Sequence, residues 1–129
     1  MIGIDTNILV RYLVEDDEEQ ANHARTVVAN FTPEKPGFIS LVTLLETVWL
    51  LRRTYKVPRN DVLRTLAALL ASQAIRIQEQ VAVDRAITLA QQENCDLPDA
   101  LVSVFGSECI YTLTFDHKAA TLPGMKLLA

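Results

Sequence analysis

The apolar positions of this chain alternate between short continuous runs and helical spacings. Met1-Ile2-Gly3-Ile4 is apolar throughout and gives way at Asp5-Thr6-Asn7 to Ile8, Leu9, Tyr12 and Leu13. That change of period predicts a strand, a turn and a helix. After the acidic run Glu15 to Glu19, Ala21, Ala24, Val27, Val28 and Phe31 recur at three and four residues, the spacing of an amphipathic helix. Pro33, Pro36 and Gly37 break the pattern. Phe38-Ile39 reads as a brief strand, and Ser40 is placed to cap a helix from Leu41 to about Tyr55, ended by Val57-Pro58.

The second half repeats the theme. Val62, Leu63, Leu66, Leu69 and Leu70 define a helix over roughly Asn60 to Ser72, and Ile75-Arg76-Ile77 a short strand. Val83, Ala86, Ile87 and Ala90 mark a helix ending near Asn94; another runs from Asp96, as N-cap, to about Gly106. Ile110 to Thr114 and Met125 to Leu128 are the last strand candidates. Short apolar strands alternating with amphipathic helices predict an α/β fold whose parallel sheet is covered by helices on both faces. At 129 residues the chain fits one domain, 1–129, with no internal repeat.

Composition narrows the function classes. Half the residues are apolar (50%) and 22% are charged, which favours folding over disorder. The longest uncharged stretch, Thr65 to Ile75, is well short of the roughly 20 residues of a membrane span, and no basic region precedes an apolar run at the N-terminus. Cys95 and Cys109 form no CxxC pair, so neither a disulfide framework nor a zinc knuckle is indicated, and the expected compartment is the cytoplasm. The formal net charge of −4 argues against bulk attraction to nucleic acid. Charge is nevertheless segregated: Val48 to Arg85 sets Arg52, Arg53, Lys56, Arg59, Arg64, Arg76 and Arg85 against only Asp61, Glu79 and Asp84.

In open parallel sheets ligands bind beyond the carboxyl ends of the strands, and four carboxylates draw attention there. Asp5 stands where the first strand ends; an N-cap is its ordinary role. Glu46 is the only charge between Gly37 and Leu51, in a helix apolar nearly all round and therefore expected to be buried. A lone buried carboxylate needs a distant cation, a proton or a metal ion. Asp96 suits a helix N-cap, whereas Asp99, three residues on behind Pro98, is explained by capping only in part. Asp116 follows the strand ending at Thr114 and could cap a short helix near His117. One divalent cation at the carboxyl edge of the sheet accounts for Asp5, Glu46, Asp99 and Asp116 together. Oxygen ligands suit Mg²⁺, with Mn²⁺ as a substitute, and carboxylates beside a phosphodiester equip a site for metal-assisted hydrolysis.

Asp5-Thr6-Asn7-Ile8-Leu9-Val10, Glu46, Asp99-Ala100-Leu101-Val102 and Thr112-Leu113-Thr114-Phe115-Asp116, in this order over nearly the whole chain, resemble the PIN-domain ribonucleases, especially the VapC-like toxins of bacterial toxin–antitoxin pairs. The resemblance implies a PIN-like three-layer fold with a central parallel sheet, an acidic Mg²⁺ site, endonucleolytic cleavage of RNA leaving a 5′-phosphate and a 3′-hydroxyl, a homodimer, and inhibition by a cognate antitoxin protein. It places Asp5, Glu46, Asp99 and Asp116 as catalytic metal ligands, with Thr6, Asn7, Asp96 and Thr114 as supporting residues.

Other positions have plainer readings. Glu15 to Glu19 reads as a solvated face at a helix start, His23 and His117 as surface histidines, and Trp49 and Phe38 as core. Arg52 and Arg53, with Lys56 and Arg59, either hold substrate phosphates or answer the dipole of a helix C-terminus. Arg11 is a further phosphate candidate, or a partner for the acids at Glu15 to Glu19. The competing class is a non-enzymatic α/β binding module with an acidic cation or partner pocket. A receiver-like site is disfavoured because the first strand offers Asp5 followed by Thr6 and Asn7 instead of paired acids.

Overall fold

In the computed structural model, which describes all of residues 1–129, strands and helices alternate as the hydrophobic periods predict. The order is β1 (Ile2–Gly3), α1 (Thr6–Leu13), α2 (Glu18–Ala29), β2 (Gly37–Ile39), α3 (Leu41–Arg53), α4 (Arg59–Ala71), β3 (Ile75–Ile77), α5 (Gln80–Glu93), α6 (Leu97–Phe105), β4 (Thr112–Thr114), a 3₁₀ turn (Ala119–Thr121) and β5 (Met125–Leu127). The protein is an α/β protein with parallel strands. No helix is long and apolar enough to cross a membrane.

The chain condenses into two units, Met1–Gln78 and Glu79–Ala129. In the first, β1, β2 and β3 lie side by side in sequence order, all parallel, with Gly3 opposite Phe38 and Phe38 opposite Arg76. Parallel neighbours need long crossovers, supplied by α1–α2 and then by α3–α4. Ile39, Ile75 and Ile77 are buried while Arg76 between the last two is exposed, the two-residue alternation of a strand. The core around them is Leu9, Leu44, Leu63 and Leu66, each supplied by a helix. In the second unit α5 buries Val83, Ala86, Ile87 and Ala90, α6 buries Leu97, Ala100 and Leu101, and β4 pairs with β5 in parallel.

Several boundaries move for identifiable reasons. The last strand-to-be, Ile110 to Thr114, starts only at Thr112; Cys109 donates to the Gly106 carbonyl in a turn, and Ile110 stands 96% exposed. The helix from Leu41 stops at Arg53 because Tyr55 and Val57 fold their N–H groups back to the Leu50 and Leu51 carbonyls, with Lys56 in the left-handed region between them. Asn94, also left-handed, ends α5 at the position where glycine or asparagine is favoured.

Two expectations about α3 are overturned. It is not buried all round: Thr43, Leu44, Thr47, Val48 and Leu51 face inward, while Val42, Glu46, Trp49 and Arg53 are exposed. Trp49 is therefore no core residue, and Glu46 is no buried carboxylate. Apolar side chains occur on both sides of this helix, so composition concealed which side is wet.

Candidate functional site

Asp5 lies two residues past β1, in extended backbone, and its Oδ1 accepts the Thr6 N–H at 2.7 Å, so it is the N-cap of α1. Ser40 occupies the corresponding place after β2, its hydroxyl accepting the Thr43 N–H as α3 begins. Both helices thus start at the carboxyl edge of the sheet. One turn into α3 stands Glu46, whose Oε1 accepts a hydrogen bond from the Thr6 hydroxyl. Thr6 gives its backbone N–H to Asp5 and its side chain to Glu46, and so ties the two carboxylates to one residue.

Asp5, Thr6, Asn7, Val10, Arg11, Glu46, Leu50, Thr54 and Tyr55 line a cleft of about 290 Å³ in the first unit. Two carboxylates face one cation there. Arg11 is braced: Nη1 donates to Asp16 at 2.8 Å and to the Tyr55 hydroxyl at 3.2 Å, and Nε donates to Gln20 at 2.6 Å. The Tyr55 hydroxyl donates in turn to Asp16 at 2.9 Å. That bond, ahead of the charge of Arg11, holds the Asp16 carboxyl below its ordinary range, and Tyr55 likewise leads in raising the Arg11 guanidinium. Arg11 is thus both a partner of the acidic run and a cleft residue. The remaining acids of the run are solvent-facing as read, with Asp17 capping α2.

The second unit carries the other candidates. Asp96 holds the N-cap position of α6 but makes no capping bond with its side chain, a departure from the expected cap; Asp99 is half-buried in the first turn of that helix. Asp116 follows β4 and accepts the N–H groups of Lys118 and Ala119 at 2.8 and 3.0 Å, capping the 3₁₀ turn, while Thr114 accepts the Asp116 N–H at 3.0 Å. Neither unit by itself gathers three or more His, Cys, Asp or Glu side chains able to hold a metal ion.

Asp5 and Glu46 suit a hard divalent cation all the same. Mg²⁺ is held through one or two carboxylates and keeps several waters, and the cleft offers two exposed carboxylates with room for a hydrated ion. At the C-terminal end of α3, Arg52 donates to the Val57 carbonyl at 3.1 Å and Arg53 lies over the Trp49 ring. Nothing in the pattern of the chain marked Tyr55 as a cleft residue. Its partner Arg11 is distant along the chain, and no local pattern encodes such a pairing.

A parallel α/β sheet with acids at its carboxyl edge, sharing a cleft with a braced arginine, defines a class of protein equipped for phosphate ester chemistry. The family model of the PIN domain matches residues 2–121, and the chain belongs to that family. PIN domains are generally nucleases that use divalent metal ions. No curated protein matches the chain.

Proposed function

We propose that this protein is a metal-dependent endoribonuclease, the VapC-like toxin of a toxin–antitoxin pair. The observation that carries the reading is the placement of Asp5 and Glu46 in one cleft, joined through Thr6, in a chain of the PIN family. The family match runs through both units, which supports treating residues 1–129 as one domain.

In this reading Asp5, Glu46, Asp99 and Asp116 would hold Mg²⁺, with Mn²⁺ as a substitute, and Asn7, Asp96 and Thr114 would support them. When bound, the ion supplies an activated water and offsets charge developing on the phosphate. The chain's own residues do the rest. Thr6 fixes the Glu46 carboxylate, and Arg11, held by Asp16 and Tyr55, presents a guanidinium to the substrate phosphate. The products are a 5′-phosphate and a 3′-hydroxyl. The partners are RNA, a cognate antitoxin and a second copy of the chain, and the place of work is the cytoplasm. A basic side chain from the antitoxin, set among the carboxylates, would compete with the metal.

The test is cleavage of a mixed structured RNA pool with Mg²⁺, with Mn²⁺ and with excess chelator, beside Asp5→Asn. Asparagine caps helices as well as aspartate does, so this variant keeps the start of α1 and loses only the charge. Cleavage that requires metal and disappears in Asp5→Asn is the expected result. Equal cleavage by wild type and variant overturns the site. Metal binding by the folded wild type without cleavage of the pool or of whole-cell RNA favours the non-enzymatic binding module.

A further inference from the structure

Val42, Glu46, Trp49 and Arg53 follow one another at four, three and four residues along α3 and share one exposed stripe. Trp49 is 57% exposed and Val42 77%. Tryptophan has more apolar surface to bury than most side chains, so an indole left in water is a feature to be explained. Its ring is also braced: the Arg53 guanidinium carbon lies 5.7 Å from the ring centroid, within cation–π range.

We propose that Trp49 is a stacking platform for a base of single-stranded RNA, with Arg53 and Arg52 taking the neighbouring backbone phosphates. This rests on the nuclease reading above and says where that substrate lies. Trp49 is one helical turn from Glu46, about 4.5 Å along the axis. A strand whose scissile phosphate sits at Glu46 brings a flanking nucleotide to the indole. From Trp49 to Asn60 every charge is basic, namely Arg52, Arg53, Lys56 and Arg59, in a chain of net charge −4. The C-terminal end of α3 is thus a local basic stretch suited to a polyanion. A second copy or another protein docking its apolar core here would have to desolvate Glu46 and Arg53, at a cost that only new ionic partners would offset. RNA supplies a π-face for the ring and phosphates for the guanidinium groups together. Stacking needs an unpaired base, so the preferred substrate is single-stranded.

Trp49 is the only tryptophan, so intrinsic fluorescence reports on it alone. Full-length Asp5→Asn protein is titrated with a short single-stranded oligoribonucleotide and with its duplex, while anisotropy of labelled RNA follows binding independently. The expected result is saturable quenching by the single strand and little by the duplex. Trp49→Ala should weaken binding, and raise KM in otherwise wild-type protein, by about tenfold or more, with Trp49→Phe restoring most of the loss. RNA binding without a fluorescence change, or wild-type affinity in Trp49→Ala, overturns the platform. So does a Trp49→Ala variant altered only in oligomeric state, which would make the face an interface between copies. Cleavage with an unchanged KM in Trp49→Ala removes the platform and leaves the nuclease standing. Quenching that depends on Trp49, in a wild-type protein that cuts no RNA, removes the nuclease and leaves an RNA-binding face. Absence of both binding and cleavage overturns both.

Discussion

The Thr6 hydroxyl donates to the Glu46 carboxylate across 40 residues of chain, from the first residue of one helix to the second turn of another. Thr6 is only 6% exposed, so its hydroxyl is held in place by packing, and the exposed glutamate takes its orientation from it. The contact joins the two crossovers of the parallel sheet at the edge where the acids stand.

Removing that hydroxyl without changing the shape of the side chain isolates its role. With Glu46 as a metal ligand, as proposed, Thr6→Val should lower metal-dependent cleavage about 10- to 100-fold, the usual effect of losing a group that orients such a ligand. The accompanying loss of stability should be about 1 kcal/mol. Thr6→Ser keeps the hydroxyl and should keep most of the activity. Rates of RNA cleavage and thermal melts of the three proteins check this.

The brace on Arg11 has a signature in pH. Because the Tyr55 hydroxyl and Arg11 depress the Asp16 carboxyl, Asp16 binds its proton more weakly in the folded protein than in the unfolded chain. Its contribution to stability is therefore complete above the unfolded carboxyl pKa and is lost as pH falls through the lower folded value. Tyr55→Phe should move the Asp16 titration upward and shrink this acid-side contribution. Carboxyl NMR titration of the two proteins reads the shift, and an unmoved Asp16 would refute the assignment.

Thr47 is fully buried on the inward side of α3, and its hydroxyl has no hydrogen-bond partner. Such a group gives up hydration without replacing it. Valine has the same shape and no hydroxyl, so Thr47→Val should raise stability by about 1 kcal/mol. Chemical denaturation should show a higher midpoint at unchanged slope, with cleavage unaffected.

Gly37 opens the central strand of the three-stranded sheet, against the ring of buried Phe31. A Cβ there would meet Phe31 Cζ at 2.9 Å and two further ring carbons closer still. Gly37→Ala should therefore cost about 1 to 3 kcal/mol, the usual range for overpacking a filled core. The double variant Gly37→Ala, Phe31→Leu should recover part of the loss in the same melting experiment.

The sequence by itself determined the order of strands and helices, the parallel α/β class and the PIN family. The first two rest on local periodicity and on turn and cap chemistry, signals that lie within a few residues of one another, and the family on four short motifs in order along the chain. Asp5 as a cap, Ser40 at the start of α3 and Asp116 at the 3₁₀ turn were legible for the same reason. Tertiary structure alone decided which side of α3 is wet, and so turned Glu46 and Trp49 from expected burial to exposure. It also chose Thr6 for Glu46, and Tyr55 with Asp16 for Arg11. A helix apolar on more than one side buries whichever side its neighbours cover, and a hydrogen bond spanning 40 residues leaves no period in the chain.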